Sequence, residues 1–271
     1  MSKKIYFSFV LGRLSNKIGD FLQYFPIDNW EKNLQLSKNY NFNGVEWIIS
    51  DFSNPLFNDE FFKKIKKKLR YNKIKLSSIY MDLIMDNPLH KISEMKLSWL
   101  INKLKKLQKK ILIPRISIPI EERSRFKTKS ERRKVIINLK KILSSLSIKS
   151  KICIETDISV KKLDILLKTK GLNKLGILID IGNIRANNFN ISKYFDLFPN
   201  KIYGVHIKYR PKNNGKSKIL KKNFKELKYL KSNLAKLKNL NDITFQTFRS
   251  NNKYLRDMKK NLINYYDTKK I

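Results

Sequence analysis

A chain of 271 residues is long enough to bury a full core, and its length suits one α/β domain better than two small ones. Its one cysteine, Cys153, excludes a disulfide within the chain, and no apolar run approaches the roughly 20 residues of a membrane span, so a soluble, cytoplasmic protein without a membrane partner is expected. The net charge of +38 invites a nucleic-acid partner, but the lysines lie along the outer faces of helical patterns such as KKIKKKLR and KLKKLQKK, without interleaved aromatic residues. Lys, Asn and Ile enriched together read as a bias toward AT-rich codons, and nucleic acid is not expected as a partner.

Strand and helix patterns alternate from end to end. KIYFSFVLG is a first strand; DNWEKNLQLSKNY is its helix, with Asp28 as N-cap and Glu31 three residues on. GVEWIIS and NDEFFKKIKKKLRYN form the second pair, and KIKLSSIYMD with a helix from about Ser93 forms the third. ILIPRISI, bordered by prolines, and SERRKVIINLKKILSSL form the fourth. The second half repeats the unit: KICIETD leads to SVKKLDILLKTKG, which Gly171 is expected to cap. LGILIDIGN leads to NISKYFDLF, KIYGVHIKYR to KNFKELKYLKSNLAKL after a long loop from Arg210 to Lys222, and DITFQTFRS to NKYLRDMKKNLINYY. Eight strand–helix pairs at about 30 residues per unit predict a single (β/α)8 TIM barrel over residues 1–271.

In such a barrel the functional groups sit at the carboxyl ends of the strands. Glu46, Asp51, Asp82, Asp86, Glu155, Asp157 and Asp180 gather at or just after strand ends, which predicts an acidic mouth on a basic body. Carboxylates crowded in a pocket repel one another unless a cation or a proton sits among them. Glu155, Asp180 and His206 end strands five, six and seven, and Gln246 ends strand eight. Two hard oxygens, an imidazole and an amide oxygen suit one divalent ion, Mn²⁺, Co²⁺, Zn²⁺ or Mg²⁺. The other histidine, His90, follows Pro88 and reads as a surface residue; Arg13, Asp82 and Arg115 sit near strand ends with no motif behind them.

IETD, then IDIGN, then VHIK with an Arg two residues on, then QT-x-R, resembles the xylose isomerase-like TIM-barrel superfamily, in particular its sugar phosphate isomerase/epimerase branch. The resemblance covers nearly the whole chain, with GVEWI similar to the family's second strand, where the Glu often faces substrate. It implies a divalent ion held by Glu155, Asp180 and His206, with Gln246 in place of the usual second Glu. It also places Asn183 where many members carry a pocket His, and Lys208 at the Lys of an HIKD pattern whose Asp is here Tyr209. Of the glycine-rich stretch that follows in the family, only Leu220 remains.

Three functions compete. The first is a metal-dependent isomerase or epimerase of a sugar or sugar phosphate, with Glu155 as general base and Glu46, Asn183, Lys208, Arg210 and Arg249 contacting substrate; Lys208, Arg210 and Arg249 follow strands seven and eight, where barrels often bind phosphate. The second is a barrel that has lost catalysis and serves as a binding or scaffold protein, as Gln246 and the altered loop suggest. The third is an abasic-site endonuclease-like barrel, which two histidines do not supply with enough metal ligands. Oligomeric state is left open.

Overall fold

A computed structural model describes residues 5–15, 24–218 and 225–246. Eight parallel strands, β1 (Tyr6–Val10), β2 (Gly44–Ile48), β3 (Lys75–Tyr80), β4 (Arg115–Ile120), β5 (Lys151–Thr156), β6 (Gly176–Asp180), β7 (Ile202–Ile207) and β8 (Asp242–Phe245), pair in sequence order. β8 then pairs with β1 from Tyr6↔Asp242 to Phe9↔Phe245 and closes the barrel. Helices cover the outside: α1 (Trp30–Asn39), α2 (Asp59–Tyr71), short α3 (Leu83–Asp86), α4 (Glu94–Lys110), α5 (Lys129–Ser145), α6 (Val160–Leu167), α7 (Ile181–Ala186), α8 (Ile191–Leu197) and α9 (Lys225–Asn233). The expected helix after β8, and residues 219–222 of the expected loop, lie outside the described residues. No helix among the described residues is long and apolar enough to cross a membrane.

Strands buried on both faces explain the apolar runs, since barrel interior and helix layer both demand them. Each long helix turns one stripe inward. In α2 it is Phe62, Ile65 and Leu69, and in α4 it is Leu97, Leu100, Ile101, Leu104 and Leu107. Lysines are the commonest residue at the remaining positions. Asn58, Ser93 and Thr128 cap α2, α4 and α5 through their side chains, and Thr128 completes a capping box with Glu131.

Several local expectations change. α1 begins after Asn29 rather than at Asp28, with no side-chain cap, because Glu31 is drawn sideways into ion pairs with Lys64, at 2.7 Å, and Lys68 of α2. α6 ends at Leu167, where Lys168 N–H bonds back to Asp164 and Leu166 carbonyls. Gly171, with φ of +86°, serves the turn beyond it. β4 starts after Pro114 and contains Pro119. Pro119 is tolerated because the β3 pairing has ended at Tyr80↔Ser117, so its missing N–H faces no strand there. The segment after β6 forms two helices, since Asp180 caps α7 directly by accepting from Asn183 N–H at 2.8 Å. His90 is buried, with Nε2 3.7 Å from Glu131, because its loop is tied to α5 by Asn138 donating to Leu89 O at 2.7 Å.

The barrel interior holds a wholly buried cation. Arg115 of β4 donates from Nε and Nη2 to both oxygens of Asp242 on β8, at 2.8 and 2.7 Å. The same Nη2 donates to Glu46 of β2 at 2.7 Å and to Ser78 at 3.0 Å, and Nη1 donates to Ser117. Alternate strands thus supply one charged layer, as packing inside eight-stranded barrels favours. Gly204 of β7 makes room for it: a Cβ there would lie 2.6 Å from Arg115 Nε and 2.7 Å from its Cζ.

Arg115→Leu would leave two buried carboxylates facing an apolar group. It is expected to destabilise the fold by about 3–5 kcal/mol, read as a lowered urea midpoint.

Candidate metal centre at the barrel mouth

β5, β6 and β7 each run apolar until their last residues, so the first polar side chains they expose emerge together at the carboxyl end. Candidate ligand atoms of Glu155, Asp180 and His206 all lie within 4.8 Å of one another, and all three residues are buried. His206 is held from behind: its Nε2 faces Glu46 Oε1 at 2.8 Å. Burial works to raise the Glu46 pKa, but His206 and Arg115 beside it overcome that and hold it at about 2, so the group is a carboxylate. A carboxylate there fixes the proton on Nε2 and leaves the Nδ1 lone pair directed at the site. Nδ1 lies 3.6 Å from Glu155 Oε2, too far for a hydrogen bond, and neither atom has a hydrogen-bond partner. Two ligands at about 2.1 Å from a common ion stand ~3.0–3.6 Å apart at bond angles between 90° and 120°. The gap therefore fits a shared divalent cation.

The remaining members of the set meet a cation of the protein's own. Lys208 Nζ lies 2.6 Å from Asp180 Oδ2 and donates to Gln246 Oε1 at 2.9 Å. Gly182 permits this approach, since a Cβ there would stand 2.5 Å from Lys208 Cγ. Burial pushes the Asp180 pKa up, but Lys208 and His206 prevail and hold it below the usual carboxylate range. Glu155 is driven the other way: burial first, then Glu121 and Asp180, raise it well above its ordinary value.

Glu121, just past β4, belongs to this group although the sequence reading passed over it. It is buried, and burial together with Asp180 and Glu122 pushes it up to about 7 against the pull of Lys208 and Arg210. Asn183 connects the two glutamates, its Nδ2 donating to Glu121 Oε2 at 2.7 Å and to Glu155 Oε1 at 3.4 Å. Its Oδ1 accepts from Arg210 Nη1 at 2.6 Å, and Arg210 Nε donates to Gly215 O at 2.9 Å. The only hint in the sequence was position: Glu121 follows a strand end, as the other site acids do.

The remaining expected site residues divide. Glu46 is wholly buried inside the barrel, hydrogen-bonded to Arg115 and Ser78 and 2.8 Å from His206. Asp86 pairs with Arg123 at 2.8 Å, away from the cluster, and Asp157 pairs with Arg125. Arg249 lies outside the described residues.

No protein-family description and no curated protein matches the chain by sequence. Solved structures do match. A xylose isomerase domain protein from Alicyclobacillus acidocaldarius superposes with a TM-score of 0.74 at 11% identity, over 99% of this chain and 100% of that one. The fold is that of the xylose isomerase-like TIM barrels. Another xylose isomerase-like barrel, from Mycobacterium smegmatis in complex with magnesium, matches with a TM-score of 0.68 at 12% identity, over 99% of both chains. D-psicose 3-epimerase from Clostridium cellulolyticum H10, solved with D-tagatose, gives 0.66 at 12% identity, over 97% and 99%.

Two opposed pH effects follow for cation-free protein. Glu121, raised from 4.5 to about 7, gives stability that is full below 4.5 and lost as pH rises through 7, on the order of 3 kcal/mol. Glu46, lowered from 4.5 to about 2, gives stability that is full above 4.5 and lost as pH falls through 2. Urea unfolding between pH 4.5 and 8 should show the first loss in the wild type and a flatter profile in Glu121→Gln.

Proposed function

We propose that this barrel is a metal-dependent isomerase or epimerase acting on a sugar or sugar phosphate by proton transfer beside a carbonyl. The observation that carries the reading is the facing pair of buried, unsatisfied atoms, Glu155 Oε2 and His206 Nδ1, 3.6 Å apart with Asp180 within reach. Glu155, Asp180 and His206 would hold one divalent ion, Mn²⁺, Co²⁺, Zn²⁺ or Mg²⁺, and Gln246 would add a neutral oxygen. Bound there, the ion supplies a Lewis acid for the oxygen of a developing enediolate.

The chain's own groups supply the proton chemistry. Glu155, whose neutral form is favoured by its buried surroundings, is the candidate to take the proton from the carbon beside the carbonyl once a cation offsets Glu121 and Asp180. Gln246 cannot ionise, which removes the expected second carboxyl. Glu121 restores one: its pKa of about 7 suits both delivery and uptake of a proton near neutrality, and Asn183 keeps it in register with Glu155. Arg210 orients Asn183, and Lys208 orients Asp180 and Gln246. The fold shared with D-psicose 3-epimerase supports a small sugar as substrate.

A second reading has an observation of its own. Lys208 already neutralises Asp180 and engages Gln246, which also suits a barrel that binds a ligand without metal chemistry.

Metal analysis of purified protein separates the two. The catalytic reading expects about one divalent ion per chain, lost in His206→Ala, with Glu155→Gln reducing isomerase turnover by at least a hundredfold. A wild type that takes up no ion when dialysed against Mn²⁺, Co²⁺, Zn²⁺ or Mg²⁺ supports the binding barrel.

A further inference from the structure

Lys208 and Arg210, the cations expected to meet a substrate phosphate, are engaged inside the site. A separate cleft of about 350 Å³ opens between the connections β4–α5 and β5–α6, on the same end of the barrel. Four exposed cations, Lys127, Lys129, Arg132 and Lys162, line it, and none makes an ion pair among the described residues. Two helix N-termini reach it. That of α5 has its Thr128–Glu131 box, whereas α6 begins after Ser159 with no side-chain cap bond and no acidic residue in its first turn. Exposed amides at a helix start, with lysines around them, attract an anion.

A buried acceptor marks the inner wall. Asp157 is only 7% exposed, and its Oδ2 is taken by Arg125 and by Glu122 N–H at 3.3 Å. Asp157 lines the same cleft, and its buried Oδ1 has no hydrogen-bond partner. A carboxylate oxygen in that position repels an anion and calls for a donor such as a ligand hydroxyl. The cleft therefore offers a hydroxyl acceptor inside and a cationic rim outside. Continuity with the centre is short: Asp157 follows Glu155 by two residues, and Glu122, which bonds Asp157, follows Glu121.

We propose that this cleft holds the anionic end of a phosphorylated or acidic sugar, with Asp157 accepting one of its hydroxyls and the Lys127–Arg132 and Lys162 rim binding the anion. The inference rests on the sugar reading above and deepens it by assigning where the charge of the substrate goes.

Calorimetric titration with a ketose phosphate, a uronic acid, the uncharged ketose and inorganic phosphate tests this. Four proteins are compared: the wild type, Lys129→Ala/Lys162→Ala, Asp157→Asn, and Lys63→Ala/Lys67→Ala, which removes from the exposed face of α2 the same charge as the cleft pair. The cleft pair should weaken the ketose phosphate, the uronic acid or both by at least tenfold while leaving the uncharged ketose unchanged, and the α2 pair should change nothing. Asp157→Asn should weaken charged and uncharged ketose alike, provided its thermal midpoint stays near the wild type. Equal weakening by both lysine pairs, no weakening by the cleft pair, or a wild type that binds neither charged sugar would overturn the proposal. Binding that depends on the cleft pair in a protein without metal sinks the isomerase reading and keeps the cleft. A metal-loaded, active enzyme indifferent to the cleft pair does the reverse.

Discussion

The guanidinium of Arg115 is the constraint on which this barrel depends. A cation with no exposure to water is tolerable only when it is fully paired, and here Asp242 clasps it through Nε and Nη2 while the same Nη2 also reaches Glu46 and Ser78. One positive charge facing two carboxylates leaves a negative charge over, and Glu46 turns its second oxygen to His206. That contact sets which imidazole nitrogen keeps a lone pair. The orientation of the candidate metal ligand is thus inherited from an ion pair in the barrel interior, between Arg115 of β4 and Glu46 of β2.

Much of this was legible beforehand, for identifiable reasons. Parallel strands buried on both faces write themselves as uninterrupted apolar runs, and the residue that breaks each run is the one at the barrel mouth. Glu155, Asp180 and His206 could be picked out in that way, and they do converge. The same logic failed for Arg115 and Glu46, because a charged side chain within or at the base of an apolar strand looks like a strand end when it is an interior partner. Nothing local distinguishes the two: Arg115 and Asp242 are 127 residues apart, and their pairing is a property of the closed sheet. Glu121 was missed because Pro119 makes its strand appear to stop early. Caps were the weakest expectation. At Glu31 two lysines from α2 outweighed the helix's own amides.

The site itself distributes its charges across the whole barrel mouth. The amide at position 246 carries no charge, and Lys208 spans Asp180 and that amide. Glu121 adds a carboxyl from the opposite side of the ring, tied through Asn183 to Glu155.

Closure of β8 onto β1 joins the two ends of the described barrel, and it has a temporal side. As the polypeptide leaves the ribosome, Glu46 and Arg115 emerge long before Asp242, so the guanidinium has only one of its two carboxylates while β5, β6 and β7 are being made. A compact half-barrel would have to bury it without the carboxylate that takes its Nε. The nascent chain is thereby discouraged from collapsing early, and the pocket forms in the same event that seals the ring.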